Sequence, residues 1–314
     1  MWSIFEFINP GYLGLQKKFS ENFEIPIEKG NDKHILNVLS RLVRPFILRR
    51  LKSDKKVAPD LPEKNEMKLY VPVTKEQAVL YDKTVNEMMN AIEDSDNIKR
   101  RGIVLAAITK LKRILDYPSL VTEDKDITID RSQKLRRLMD MIYEIRSNNE
   151  KALIFTQYRD SGRILKEVIQ REINEEVLFL SGESSIKLRD SMIKRFQKES
   201  GPVIFIISLR AGGFGLNLTA ATNVIHFDRW WNPSVENQAT DRAYRIGQTK
   251  NVNVYKFITS GTVEEKIDEL IESKSMILDQ VVSSGEGWIT NLSNDKLKEI
   301  LALRKESIES SEVE

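Results

Sequence analysis

The chain has 314 residues, 40% apolar and 31% charged, with 49 basic and 47 acidic side chains giving a net charge of +2; that length is a soft prior for about two domains, each with its own core. No apolar run approaches the ~18 residues needed to cross a bilayer, so no membrane segment is expected. Cysteine is absent, which excludes disulfides, thiolate metal sites and cysteine nucleophiles, and with only His34 and His226 a histidine-rich metal site or a serine-histidine-carboxylate triad has little support.

In chain order, the opening Met1-Trp2-Ser3-Ile4-Phe5-Glu6 lacks the basic start and long apolar stretch of a secretory signal, so the chain is expected to stay where it is made. Net charge alone announces no nucleic-acid partner, but its distribution is uneven. Arg41, Arg44, Arg49, Arg50, Lys52, Lys55 and Lys56 form the densest basic stretch, around the apolar Leu42, Val43, Phe46, Ile47 and Leu48. Pro59-Asp60-Leu61-Pro62 breaks it, giving a boundary near residue 60, and Met67–Val71 reads as a short strand. Thr74 with Gln77 is a capping-box signature, followed at helical spacing by Ala78, Tyr81, Val85, Met88, Met89 and Ile92. A polar stretch leads to a second helix with Val104, Ala107, Ile108, Leu111 and Leu115 on one face, so residues 74–117 are expected to form a helical hairpin.

Beyond the acidic loop at Thr122–Asp126, amphipathic helices alternate with short apolar runs: Ala152–Phe155, Val177–Leu180, Val203–Ile207, Val224–Phe227 and Asn253–Ile258. Apolar runs without polar alternation, separated by such helices, predict a doubly wound parallel sheet covered on both faces, spanning residues 131–261. Val263, Ile267, Leu270, Ile271, Leu278 and Val281 predict a long helix after Gly261, and the tail from Glu306 is acidic and serine-rich.

Ligands of such sheets gather at the carboxyl ends of the strands. Two loops there are unusual. Ser208-Leu209-Arg210-Ala211-Gly212-Gly213-Phe214-Gly215 carries three glycines, which allow tight turns and close approach of main-chain amides to an anion, although a purely structural turn fits equally well. Asp228-Arg229-Trp230-Trp231-Asn232-Pro233 carries adjacent tryptophans that could simply pack. The next stretch, Gln238 to Gln248, would as a helix place Gln238, Asp241, Arg242 and Arg245 on one face. That face is either merely solvated or aims two planar guanidiniums at a polyphosphate.

Taken together and in order, these blocks resemble motifs four to six of helicase superfamily two in the form found in Swi/Snf-type remodelling ATPases: Phe155-Thr156-Gln157-Tyr158 as motif four, Ser208–Leu218 as motif five and Gln238–Gln248 as motif six. Trp2–Gly11 is similar to a segment soon after motif three of the first lobe, and Arg44–Arg50 with Leu61-Pro62-Glu63-Lys64 to the inter-lobe region. The resemblance implies an α/β fold, a RecA-like doubly wound parallel sheet with a helical insertion and flanking helices. Its divisions are the end of the first lobe (residues 1–60), the insertion (61–130), the RecA-like second lobe (131–261) and a C-terminal brace with tail (262–314).

The implied function is an ATPase that translocates on double-stranded DNA. Arg242 and Arg245 would reach the γ-phosphate, with Gln238 and Asp241 nearby and Gly213 and Gly215 linking nucleotide to DNA. Gln157, Arg159, Ser208, Arg210 and Trp230 would face the DNA. No Gly-Lys pair exists to build a P-loop, and Asp268-Glu269 lies in a helical pattern unsuited to binding magnesium. ATP and Mg²⁺ would therefore be held mainly by the first RecA-like lobe of the same protein, and the chain is expected to begin inside a longer ATPase. The alternatives are a strand-separating helicase of the same superfamily and a noncatalytic DNA- or protein-binding module. A prokaryotic cytoplasm is the expected location, with the nucleus as the alternative.

Overall fold

The structure, a computed structural model, describes residues 1–28, 32–48, 61–93, 95–124, 126–208, 216–272 and 289–309. It divides into two units, Met1–Pro59 and Asp60–Glu314. The basic stretch from Arg49 to Lys56, the glycine loop with Arg210, Gly213 and Gly215, and the distal part of the helix expected after Gly261 lie outside the described residues.

The first unit is helical: α1 (Trp2–Ile8), α2 (Gln16–Phe19), α3 (Ile25–Glu28) and α4 (Lys33–Val43), with a π-helical turn at Ser20–Glu24. Asp32 caps α4 by accepting the main-chain N–H groups of His34 and Ile35. Phe5, Leu13, Phe19, Leu39 and Val43 form its core, and the rings of Phe5, Tyr12 and Phe46 pack together beside it.

The second unit is built on six parallel strands, β1 (Lys64–Val71), β2 (Ala152–Thr156), β3 (Val177–Leu180), β4 (Ile204–Ser208), β5 (Asn223–His226) and β6 (Val252–Thr259), in the order β1-β6-β5-β2-β4-β3. Strands β2, β4 and β5 are buried throughout, as their unbroken apolar runs require. The sheet reaches further than the expected 131–261 span, because Lys64–Val71 adds as an edge strand in parallel register with Val252–Thr259.

Two helices, α7 (Gln133–Ser147) and α8 (Arg159–Ile173), cover one face, burying Leu138, Ile142, Val168 and Ile169 against Ile154, Ile206 and Phe257. The opposite face packs Phe155, Phe205 and Ile207 against Phe196 of α9 (Ile186–Gln197) and Ala239 of α10 (Pro233–Thr240). Gly162 is needed where α8 meets β3: a Cβ there would lie 2.5 Å from the Phe179 ring.

The helical hairpin is α5 (Lys75–Glu93) and α6 (Asn97–Asp116). The capping box is reciprocal: the Gln77 N–H donates to Thr74 Oγ1 and the Thr74 N–H to Gln77 Oε1, each at 3.2 Å. The hairpin shares a third core with Trp231, with Val263 and Ile267 of α11 (Val263–Glu272), and with Leu297 and Leu301 of α12 (Asn294–Leu301). Among the described residues no helix is long and apolar enough to cross a membrane.

The chain runs from β2 out to β3, returns through β4, and then crosses to β5 on the other side of β2. That reversal makes the carboxyl end of β2 the switch point, where such sheets open a crevice. Loops beginning at Gln157 and Phe227 leave the sheet there, beside the end of β4 at Ser208.

Candidate functional site

Asp228 ties two of these loops together. Its buried carboxylate accepts the Thr156 hydroxyl at 2.6 Å and the Gln157 main-chain N–H at 2.9 Å, bridging the ends of β5 and β2. Burial pushes its pKa up, against the Lys112 ammonium and the Thr156 hydroxyl, which favour the carboxylate.

Around this bridge lies a buried polar network. Lys134 sits between Glu264 at 2.6 Å and Asp116 at 3.4 Å, all three essentially inaccessible, and the Ser161 hydroxyl donates to the other Asp116 oxygen at 2.7 Å. Burial works against the Lys134 ammonium, but Glu264 and Asp116 outweigh it and raise its pKa; burial, with the Asp228 charge next, drives the Asp116 carboxyl well up. Arg229 is gripped by Glu236 of α10 at 3.0 Å and by Asp268 of α11, which also accepts from Lys68 of β1 at 2.8 Å. Asp268 is thus committed to cations within the fold.

From this base α10 runs outward. It ends at Thr240, so the stretch to Gln248 is not the single helix considered for it: the Asp241 N–H bonds the Asn237 carbonyl and the Arg242 N–H the Ala239 carbonyl, after which the chain continues as linked turns to Gly247 at φ +100°. Gln248 holds these turns in place, its buried amide donating to the carbonyls of Thr219 and Ala221 at 3.0 Å and of Ala243 at 3.3 Å. Arg242 and Arg245 are therefore brought together by turns and not by helical spacing. Arg242 is half-buried and Arg245 exposed. Burial and then the Arg245 charge lower the Arg242 pKa, with Asp241 opposing them. Two guanidiniums that repel each other near solvent are suited to an anion of high charge density. Gln238 and Asp241 are exposed beside them.

Of the residues expected on the DNA side, the four that are described do not form one exposed surface. Gln157 and Ser208 are buried, at 5% and 3% exposure, and Gln157 Oε1 accepts from Lys112, so neither presents its side chain to a duplex in this conformation. Arg159 is half-exposed and paired with Glu183. The two tryptophans divide: Trp231 is buried in the helical core, whereas Trp230 is half-buried, its main-chain N–H donating to Glu236 at 2.9 Å.

His226 lies beneath the arginine segment, stacked on Phe155, with Nε2 2.9 Å from the Thr240 hydroxyl at the end of α10 and, among the described residues, no partner for Nδ1. Burial lowers its pKa from 6.5 to about 4, against the Glu236 carboxylate. A histidine depressed in the folded state contributes stability above its unfolded pKa and loses it as pH falls toward the folded value. Between pH 7 and 4.5 the chain should lose about 2 kcal/mol through this group, at about 1.36 kcal/mol per pKa unit. Denaturant unfolding of wild type and His226→Gln across that range checks this; equal slopes in both would remove His226 as the cause.

Comparison with known proteins assigns this architecture. Residues 133–247 match the helicase conserved C-terminal domain and residues 1–120 the SNF2-related domain. The solved C-terminal domain of a Sulfolobus solfataricus SWI2/SNF2 ATPase is 40% identical, with a TM-score of 0.67 over 77% of this chain and 100% of that domain. The chain belongs to the SWI2/SNF2 ATPase family.

The SWI2/SNF2 ATPase core of the same organism, solved in complex with double-stranded DNA, is 44% identical with a TM-score of 0.71, over 97% of this chain and 64% of that one. A curated relative, the putative ATP-dependent helicase/translocase YwqA of Bacillus subtilis, is 46% identical over 305 residues, covering 96% of this chain and 33% of its own length. The chain spans about a third of the length of the curated relatives it matches. Within this SWI2/SNF2 framework, Lys112 and Lys134 were missed by sequence reasoning. Their signal was a lysine and an aspartate four residues apart, Lys112 and Asp116, beside the apolar positions Ile108 and Leu115 of α6.

Proposed function

We propose that the chain is the second motor lobe, with flanking segments, of an ATPase that translocates along double-stranded DNA. The observation that carries this reading is the Arg242–Arg245 pair, held close enough for its charges to interact at the end of α10. In the complete protein these arginines would stabilise charge on the transferring γ-phosphoryl group, while ATP and Mg²⁺ are held mainly by the first RecA-like lobe. Phosphoryl transfer asks for positioning and electrostatics more than covalent chemistry, which is what a lobe without a P-loop can supply.

Arg159 and Trp230, with Arg210 of the glycine loop, are the proposed duplex contacts, and Gln157 and Ser208 support the loops behind them. Contacts to phosphates would dominate, because a tracking motor must accept any sequence. The DNA-bound Sulfolobus core supports duplex DNA as the partner, and the Bacillus relative supports a prokaryotic cytoplasmic setting.

The test is steady-state ATP hydrolysis by the intact parent with duplex DNA, single-stranded DNA or RNA. Duplex should stimulate most, and the 314-residue chain alone should stay at background. Robust turnover by the isolated chain, or equal stimulation by RNA, would contradict the proposal.

A further inference from the structure

Lys112 is fully buried in α6, yet both oxygens that accept from its ammonium are neutral: Gln157 Oε1, and the Arg229 carbonyl at 2.7 Å. The rings of Tyr158 and Trp231 lie 5.9 and 5.8 Å from the nitrogen, and the Asp228 carboxylate supplies opposite charge nearby. Burying an ammonium is costly, and a well-packed apolar residue of the same length often serves stability as well or better. What the charge adds here is geometry. One nitrogen on the helical hairpin fixes two loops at once, the one after β2 through Gln157 and the one after β5 through Arg229.

The second loop leads directly to the arginines. Arg229 holds Glu236 at 3.0 Å within α10, the same Glu236 oxygen accepts the Trp230 main-chain N–H, and the turns that carry Arg242 and Arg245 follow directly from the end of α10. A shift of the Arg229 carbonyl would therefore move the base of the helix that aims the guanidiniums.

We propose that Lys112 is a positioning residue for ATP hydrolysis, setting the loops after β2 and β5, and through Arg229 and Glu236 the arginine segment, from the helical hairpin. The assignment rests on the motor reading above and deepens it: it gives the hairpin a part in turnover, where the sequence suggested only an insertion.

The experiment uses the intact parent with saturating duplex DNA, comparing wild type, Lys112→Met and Lys112→Arg. Misplacing a catalytic group by about 1 Å can cost about 10²-fold in rate, so Lys112→Met should lower kcat by at least about tenfold. The duplex concentration for half-maximal stimulation should change far less. Lys112→Arg, which retains charge and donors, should recover a substantial part of kcat. A lysine that only stabilised the fold would leave kcat of the folded fraction unchanged. Near-normal kcat in folded Lys112→Met overturns the proposal, as does a loss that Lys112→Arg leaves wholly unrelieved. Should Lys112→Met not fold, Lys112→Gln, which keeps a donor for the Arg229 carbonyl, carries the same test. Loss of folding in both overturns the proposal in favour of a purely structural lysine. A wild-type parent without duplex-stimulated turnover contradicts the motor reading itself, whereas a stimulated wild type with an unimpaired Lys112→Met contradicts only this assignment.

Discussion

If the proposed motor reading holds, Arg242→Ala in the intact parent is expected to lower duplex-stimulated ATP turnover by about 10³-fold or more, the lower end of the about 10³ to 10⁵ that an arginine finger contributes. Arg245→Lys should fail as well: lysine keeps the charge but loses the planar fork that grips phosphate oxygens in pairs. Neither change should harm the fold much. The Arg245 side chain is exposed, and its bond to the Leu216 carbonyl is long at 3.5 Å. Arg242 shares its site with a like charge, so its removal relieves repulsion as well as deleting contacts. A change at an exposed side chain such as Arg245 usually alters stability by about 0.5 kcal/mol or less. Hydrolysis rate, ATP-free duplex affinity and thermal unfolding, measured on the same variants, check the prediction. Near-normal turnover in both would remove the arginines from the nucleotide site.

The second large effect concerns Lys134. Replacing it with methionine would leave Asp116 and Glu264 buried without their cation, and breaking a buried pair from one side costs about 3–5 kcal/mol. Glu264 also accepts the Thr259 N–H at 2.9 Å at the end of β6, so the damage should reach the sheet as well as the junction of α6, α7 and α11. Denaturant unfolding of the 314-residue chain should show a midpoint shift of that size for Lys134→Met. The double variant Lys134→Met with Glu264→Gln should cost less than the sum of the two single changes, because one stranded charge goes with its partner. Additive losses would mean that the two groups do not act as a pair.

Much of this fold is legible in the sequence because its signals are local. The apolar runs from Ala152 to Phe227 could only be strands covered on both faces, and Thr74 with Gln77 marks the start of α5 through two short-range bonds. What the sequence hides is set by partners far along the chain. Lys64–Val71 becomes an edge of the sheet only through β6, 188 residues away in the Asn65–Asn253 pair. Lys112 and Lys134 look like ordinary charged helix positions until the loop from Asp228 and the helix from Val263 close over them. The early end of α10 has the same origin. Gln238, Asp241, Arg242 and Arg245 have good helical spacing, but the turns after Thr240 are fixed by Gln248 reaching carbonyls in the loop at Thr219 and Ala221. Gln157, expected from its place in motif four to face DNA, is buried instead, because its side chain accepts from an ammonium that α6 supplies from 45 residues away.

The central claim is that this lobe serves a motor that moves along intact duplex, and the measurement closest to it is ATP-driven displacement of a third strand from a DNA triplex by the intact parent. Strand separation of the underlying duplex is followed in the same reaction. Displacement should require ATP hydrolysis, leave the duplex paired, and be lost in Arg242→Ala. Failure to displace the third strand while duplex still stimulates hydrolysis, or displacement only with separation of the duplex, would contradict it.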